Sequence, residues 1–230
     1  MSDQSAVSGW RGYLPAGVRP YSEAAPLAAL FLGVSSALPL TMIAATLTTR
    51  LAQAGIEKST VTAFALTFLA YNFKWLWAPV IDVIKLPIIG RVGQRLSWLI
   101  VTAAFAMAAI IYLGSLDPAK DIAAVAVAAI MVGIAGATFD VVIDAYRIEL
   151  LEPEQLGVGS GMSQYGWRIG AATAGAVALV VAARTNWSIA YYVCSLFALF
   201  AVIVGLIMRE PSRRQEPMAL KGPLEAAKAY

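Results

Sequence analysis

Six apolar runs of about 20 residues, separated by short polar stretches, constrain this chain more than any other feature of its sequence. A run of about 20 mostly apolar residues is long enough to cross the hydrocarbon core of a bilayer as an α-helix. The chain is 60% hydrophobic and only 13% charged, whereas soluble domains carry about 25% charged residues. The sequence therefore predicts an all-α membrane protein with six transmembrane helices. The predicted spans are residues 26–49, 60–81, 96–115, 122–146, 158–183 and 187–208.

The segments outside these runs predict three regions. Residues 1–25 contain Pro, Gly and charged residues but no apolar core, so they predict a cytoplasmic arm and not a cleaved signal peptide. Residues 26–208 form the predicted transmembrane domain. Residues 209–230 are basic and predict a tail at the membrane surface.

The distribution of Lys and Arg predicts the orientation, because positive residues in short loops are retained in the cytoplasm. With the N-terminus inside, the inner segments hold eleven of the 17 Lys and Arg residues, the outer loops four and the spans two. The four outer residues are Arg50, Lys58, Lys120 and Arg184. Six spans return the C-terminus to the cytoplasm, so we expect an N-in, C-in topology.

Composition also narrows the functional classes. The chain has no His and a single Cys, Cys194, which argues against a metal centre, a disulfide framework and His-based acid–base catalysis. The net charge of +3 without a basic run gives no reason to predict nucleic-acid binding. No nucleophile–base constellation is present, and we interpret Glu149, Glu152 and Glu154 as a solvated face. We therefore predict no enzymatic activity, no metal and no cofactor.

Ionisable residues inside the spans are the candidate functional residues, since each costs at least about 2.5 kcal/mol to insert. In the second run, Lys74 follows Asn72 and precedes Pro79 in YNFKWLWAP. One interpretation is that Lys74 extends its long side chain to the inner headgroups. The other is that Lys74 faces an internal polar cavity and meets an anionic group there.

The fourth run ends in TFDVVIDAYRIELL, which places Asp140, Asp144 and Arg147 at i, i+4 and i+7 on one helical face. These residues form either a structural charge ladder, with Asp144 paired to Arg147, or a site in which Asp140 carries a proton. In the fifth run Arg168 lies among small residues in SGMSQYGWRIGAATAGA. Arg168 always carries its charge, so it either pairs with Asp140 or binds a substrate anion.

The loop between the second and third runs, APVIDVIKLPIIGRVGQRLSW, contains Asp82 followed by Arg91 and Arg95. The basic residues fit the positive-inside pattern of a cytoplasmic loop. The same layout also fits a conformational latch, in which Asp82 pairs with a neighbouring helix in one state and releases it in another.

Several segments together resemble the AmpG-like muropeptide permeases of the major facilitator superfamily. They are FLGVSSALPL, FKWLWAPVID with the following GRVGQR, FDVVIDAYRIELLEPEQLGVGSG and YGWRIG, within residues 30–210. The resemblance implies a proton-coupled, multi-pass carrier in the bacterial inner membrane that imports anhydro-muropeptides, or more generally a bulky anionic solute, since the same branch includes acetyl-CoA carriers. The positions it implies for the substrate or the proton are Lys74, Asn72, Asp140, Asp144 and Arg168, and the degenerate loop signature falls on Asp82, Arg91 and Arg95.

Carriers of this superfamily consist of two six-helix halves with the substrate between them, and the resemblance covers the N-terminal half. Three arrangements follow as expectations. A symmetric homodimer rebuilds a twelve-helix carrier, or a second half is encoded separately. Alternatively, the chain is a transporter-derived structural subunit or assembly factor that no longer transports and packs in a larger membrane complex.

Overall fold

The computed structural model describes residue 15, residues 17–84, residue 86 and residues 93–211, and this part of the chain is helical without any β-strand. Five of its helices are long and apolar enough to cross a membrane: α1, α5, α6, α7 and α8. In chain order the helices are α1 (Ala24–Gln53), α2 (Lys58–Ala63), α3 (Leu69–Asn72), α4 (Ala78–Val83), α5 (Gln94–Ser115), α6 (Ile122–Leu150), α7 (Leu156–Arg184) and α8 (Trp187–Met208).

The long helices begin where the sequence offers capping side chains. Asp121 precedes α6 and its Oδ1 accepts a hydrogen bond from the backbone N–H of Ala124 at 2.9 Å. Asn186 precedes α8 and caps the N–H of Ile189 in the same way, at 2.9 Å. Such side chains satisfy backbone donors that have no partner within the first helical turn. The short connections between α5, α6, α7 and α8 therefore place these helices antiparallel to their neighbours in sequence.

The second predicted span, 60–81, is not one continuous helix. We call residues 58–83 the broken segment, because α2, α3 and α4 are separated there by the 3₁₀ turns Phe64–Phe68 and Lys74–Leu76. Pro79 supplies a physical reason for the last break, since its ring clashes with a carbonyl one turn earlier but fits the first turn of a new helix. The expected six continuous helices are therefore five continuous helices and this broken segment.

Pro39 has a milder effect in α1. The helix continues past Pro39 and then widens into a π turn at Met42–Thr46. A π turn inside an α-helix accommodates a disturbed hydrogen-bond ladder without ending the helix. As a result α1 reaches Gln53, four residues beyond the predicted end of the first span.

Helix α1 occupies the centre of the bundle and packs on α6, α7 and α8. Its closest neighbour is α7: a Cβ on Gly166 would collide with the carbonyl of Leu30, and one on Gly33 with the carbonyl of Ser163. Only glycine allows two helix backbones to approach this closely. The core is completed by fully buried side chains of four helices, including Leu32, Leu38, Leu99, Ile110, Phe139 and Tyr191.

The outer faces of the bundle differ in polarity. Helix α8 exposes apolar side chains such as Leu196, Ile203 and Ile207, as expected for a surface in contact with lipid. Helix α7 has the lowest mean hydropathy of the five long helices, and only 22% of its most apolar stretch is buried, compared with 61% in α1. Its exposed residues include Ser160, Gln164 and Arg168. The face of α7 that is turned away from α1 is thus uncovered, and it carries these polar residues among exposed apolar ones such as Tyr165 and Ile169.

Candidate functional site

A polar cleft of about 320 Å³ lies between α1, α6, α7 and the broken segment. Helix α6 contributes the two carboxylates and one guanidinium, and the broken segment contributes one ammonium group. Four charged side chains thus share one cavity within apolar helices. The lining residues are Ser36, Lys74, Asp140, Asp144, Arg147, Ser163, Gln164 and Trp167.

The regularity of α6 explains why its three charged residues meet in this cleft. Asp140, Asp144 and Arg147 lie within one uninterrupted α-helix, so their i, i+4 and i+7 spacing places them on the same face. This face is turned towards the broken segment, whose turn Lys74–Leu76 carries Lys74. The charged face predicted from the sequence therefore lines the cavity.

Each carboxylate in the cleft contacts two polar partners. The Lys74 ammonium pairs with Oδ2 of Asp140, and the Ser36 hydroxyl donates a hydrogen bond to Oδ1 of the same carboxylate. Asp144 lies 3.7 Å from the Lys74 Nζ and accepts a hydrogen bond from Arg147 Nη2 at 3.0 Å. Of the two predicted environments of Lys74, the structure shows the one with an anionic partner inside a polar cavity. The predicted contact between Asp144 and Arg147 is also formed.

The cluster balances two positive against two negative charges, but its members differ in access to solvent. The side chain of Asp140 is 17% exposed and that of Asp144 is 42% exposed. Arg147 is 16% exposed, and its Nε is buried without a hydrogen-bond acceptor among the described residues. A buried N–H group without an acceptor is unfavourable, so Arg147 keeps a donor that an entering anion could satisfy.

Of the two roles that the sequence left open for Arg168, the ion pair with Asp140 is not formed. Asp140 pairs with Lys74, whereas Arg168 is exposed on α7 and has no ion pair within the part of the chain described. The close packing of Gly166 on α1 explains this, because Arg168 follows two residues later and lies about 200° around the helix. Asn72 is also exposed and does not line the cleft.

The predicted latch is only partly described. Arg91 and the side chain of Asp82 lie outside the described residues. Arg95 forms an ion pair with Glu149 at the end of α6, with distances of 2.6 Å from Nη2 and 2.9 Å from Nε to the same Oε1. Glu149 is only 12% exposed, so its interpretation as part of a solvated face is wrong. The carboxylate joins the start of α5 to the end of α6.

Arg50 was expected in an outer loop but lies buried within the bundle. It is 5% exposed, and its guanidinium donates hydrogen bonds to the carbonyls of Leu113 and Leu116 at the end of α5. It also lies 5.4 Å from the centre of the Tyr191 ring. Arg50 therefore stabilises the carboxyl end of α5, where backbone carbonyls lack helical partners. Ending the first predicted span at residue 49 concealed this role.

Ser36 and Trp167 line the cleft but were not among the residues predicted for the site. Both lie within segments that carry the family resemblance, FLGVSSALPL and YGWRIG, and this was the signal that could have identified them. Metal-binding clusters of three or more His, Cys, Asp or Glu are absent from the described residues.

Comparison with known proteins places the chain beside membrane transporters. Residues 25–228 match the family described as "Major Facilitator Superfamily". The chain is 32% identical over 184 residues to the "Anhydromuropeptide permease" of Escherichia coli K12, an alignment covering 80% of this chain and 37% of the relative. It is 32% identical over 181 residues to "Putative transporter AmpG 4" of Rickettsia conorii, covering 78% of this chain and 44% of the relative. The chain thus spans less than half the length of these relatives. No solved structure matches it.

Proposed function

We propose that this chain, which belongs to the major facilitator superfamily, forms one half of a proton-coupled permease for bulky anionic solutes such as anhydro-muropeptides. Membership of this family and five helices long enough to cross a bilayer indicate a multi-pass membrane transporter and not an enzyme. The observation that carries the proposal is the cleft, in which Lys74, Asp140, Asp144 and Arg147 meet. Inserting an ionisable residue into a membrane domain costs free energy, and residues that carry this cost and line one cavity indicate a functional site.

The charge balance of the cleft suggests how an anion is coupled to a proton. A ligand carboxylate that enters the cleft competes with Asp140 for the Lys74 ammonium. Once Lys74 binds the ligand, Asp140 keeps a negative charge that is only 17% exposed, and uptake of a proton from water removes this charge. Binding of one ligand carboxylate thereby favours binding of one proton. Arg147, through its buried Nε, is a second cation available to the ligand.

A second six-helix half would complete the site. The cleft volume of about 320 Å³ is at the lower end of the range of about 300–1,000 Å³ that is typical of small-molecule sites. The uncovered face of α7 carries Arg168, and an unpaired guanidinium is not stable against lipid. We place the second half against this face, where Arg168 would reach a ligand anion held between the halves. Either a homodimer or a separate half satisfies this arrangement.

We further propose that the broken segment also crosses the bilayer, which gives six spans and places both termini in the cytoplasm. The membrane is the bacterial inner membrane. This topology keeps Arg95 and Glu149 on the cytoplasmic side and the Arg50 end of α1 on the outer side. Single cysteines introduced at exposed Lys120 and Glu152 into a Cys194→Ala background test it. A membrane-impermeant maleimide should label the first in intact cells and the second only after permeabilisation; the reverse pattern would contradict the topology.

Uptake of labelled anhydro-muropeptide by the native host, with variants in the chromosomal copy, tests the transport function. Asp140→Asn should abolish accumulation, because the neutral amide cannot exchange a proton, and Arg168→Gln should raise the KM at least tenfold. Lys120→Gln is the control, since this exposed lysine lies outside the cleft and pairs with neighbouring Asp117 at 3.6 Å. Normal uptake by both Asp140→Asn and Arg168→Gln, at normal protein levels, would refute the mechanism.

The native mass of the gently extracted protein separates the two candidate functions. A homodimer or a one-to-one complex with another six-helix chain is expected for a carrier. Recovery of one copy within a large complex would favour the alternative of a structural subunit or assembly factor, provided that the host carrying Asp140→Asn grows normally.

A further inference from the structure

One helical turn before Asp140, two elements converge on α6 and pack directly against its backbone. A Cβ built on Gly136 would collide with the Tyr71 hydroxyl and with Cβ of Pro39. Gly136 therefore seats Tyr71 of α3 and Pro39 of α1 directly on the α6 backbone. This layer repeats the arrangement of the next turn, where Asp140 contacts Lys74 and Ser36.

The hydroxyl of Tyr71 has no hydrogen-bond partner among the described residues, although it is buried. An unsatisfied buried hydroxyl destabilises a protein by about 1–3 kcal/mol. A phenylalanine would fill the same space without this cost. The hydroxyl therefore needs an explanation other than packing.

The Asp140 carboxyl lies one helical turn beyond the glycine on which this hydroxyl rests. Side chains on an α-helix lean towards its N-terminus, so Asp140 leans towards the turn of Gly136 on which Tyr71 rests. Tyr71 and Lys74 are three residues apart and both contact α6.

We propose that the Tyr71 hydroxyl replaces Lys74 as the hydrogen-bond partner of the Asp140 carboxyl when Lys74 binds the anionic ligand. This inference rests on the proposed transport function and assigns Tyr71 as a positioning residue. A phenolic hydroxyl donates to a carboxylate and accepts from a carboxylic acid, whereas an ammonium group only donates. Tyr71 can therefore donate to the Asp140 carboxylate before the proton arrives from water and accept from the carboxylic acid afterwards. No covalent bond other than the O–H bond of Asp140 is made.

Tyr71→Phe tests the inference in the native host, through the uptake kinetics of labelled anhydro-muropeptide and the melting temperature of the purified protein. We expect the maximal uptake rate to fall at least tenfold with little change in KM, because the ligand contacts of Lys74 are unchanged. The melting temperature should stay the same or rise, because the orphan hydroxyl is gone. A residue with a purely structural role would not separate rate from stability in this way.

Tyr191→Phe is the matched control. Its hydroxyl is buried but satisfied, since it donates to the carbonyl of Met42 at 3.2 Å, so its loss should lower the melting temperature and leave uptake per folded molecule unchanged. Normal uptake kinetics in Tyr71→Phe would overturn the inference, and so would a loss of uptake that merely follows a loss of folded protein. If Asp140→Asn and Arg168→Gln also retain normal uptake, the proposed transport mechanism itself fails; if only Tyr71→Phe does, that mechanism stands without Tyr71.

Discussion

Ser35 and Ser36 are consecutive residues of α1 whose hydroxyls bind on different sides of the helix. Ser35 donates to the carbonyl of Phe197 at 2.8 Å and accepts from the N–H of Ala201 at 2.9 Å. Its hydroxyl is thus inserted between two groups of α8 that an unbroken helix would join directly, next to the 3₁₀ turn Leu196–Ala198. Ser36 instead donates to Asp140 in the cleft. Ser35 thus joins α1 to α8, whereas Ser36 donates to the charged site.

Ser36→Ala should impair transport with little effect on stability. The change removes one of the two donors that hold the Asp140 carboxylate, so this carboxylate is less firmly positioned when Lys74 turns to the ligand, and coupling is weakened. We expect a three- to tenfold loss in the ratio of accumulated to external anhydro-muropeptide. Accumulation and melting temperature are measured on the same variant, and Ser36→Thr, which keeps the hydroxyl, should recover most of the accumulation.

Ser35→Ala should lower stability and spare transport, which is the opposite of what we expect for Ser36→Ala. It leaves a buried N–H and a buried carbonyl of α8 without their bridging hydroxyl, which costs about 1–3 kcal/mol. The melting temperature should fall while accumulation per folded molecule is retained. If both serine variants changed the same property, the division of roles along α1 would be wrong.

Much of the helical framework was predictable because long apolar runs with capped ends leave few alternatives. The spans predicted at 96–115 and 187–208 correspond closely to α5 (Gln94–Ser115) and α8 (Trp187–Met208). The broken segment was not predictable by the same reasoning. Its apolarity is sufficient for a span, but hydropathy does not report how Pro79 and the surrounding turns divide a helix.

Within the site, spacing along one helix was more informative than pairing between helices. The shared face of Asp140, Asp144 and Arg147 followed directly from the geometry of a regular helix. The partner of Asp140 could not be predicted in this way, because the choice of partner depends on how α7 is rotated about its axis. The close contact of Gly166 with α1 fixes that rotation. A lysine on an irregular segment, Lys74, takes the place that was expected for Arg168.

Arg50→Met should destabilise the fold without changing the ligand site. Arg50 is buried and donates to the carbonyls of Leu113 at 3.0 Å and of Leu116, which would lose their partners. A buried carbonyl left without its donor costs about 1–3 kcal/mol. Thermal unfolding in detergent should detect the loss, whereas Arg184→Met, at an exposed arginine at the end of α7, should be close to wild type. Equal stability of the two variants would contradict the capping role of Arg50.

The ion pair of Arg95 and Glu149 should behave as a coupled unit. Both side chains are largely buried, at 16% and 12% exposure, so removing the Arg95 charge leaves the Glu149 carboxylate without its ion-pair partner at a cost of about 3–5 kcal/mol. Arg95→Met and Glu149→Leu should each lower the melting temperature, and the double variant should be more stable than the additive sum. An additive double-mutant cycle would show that the pair contributes no interaction of its own.

Two glycines of α7 should respond to the same substitution in opposite directions. Gly166→Ala places a Cβ against the carbonyl of Leu30, a backbone atom that cannot move aside, so α1 and α7 must separate. We expect a sharp fall in the yield of folded protein. Gly157→Ala adds a methyl group where no atom lies within 4 Å, and alanine favours a helix by roughly 0.5–1 kcal/mol over glycine. Thermal unfolding of both variants in detergent distinguishes the two effects, and tolerance of Gly166→Ala would mean that α1 and α7 are not packed backbone to backbone.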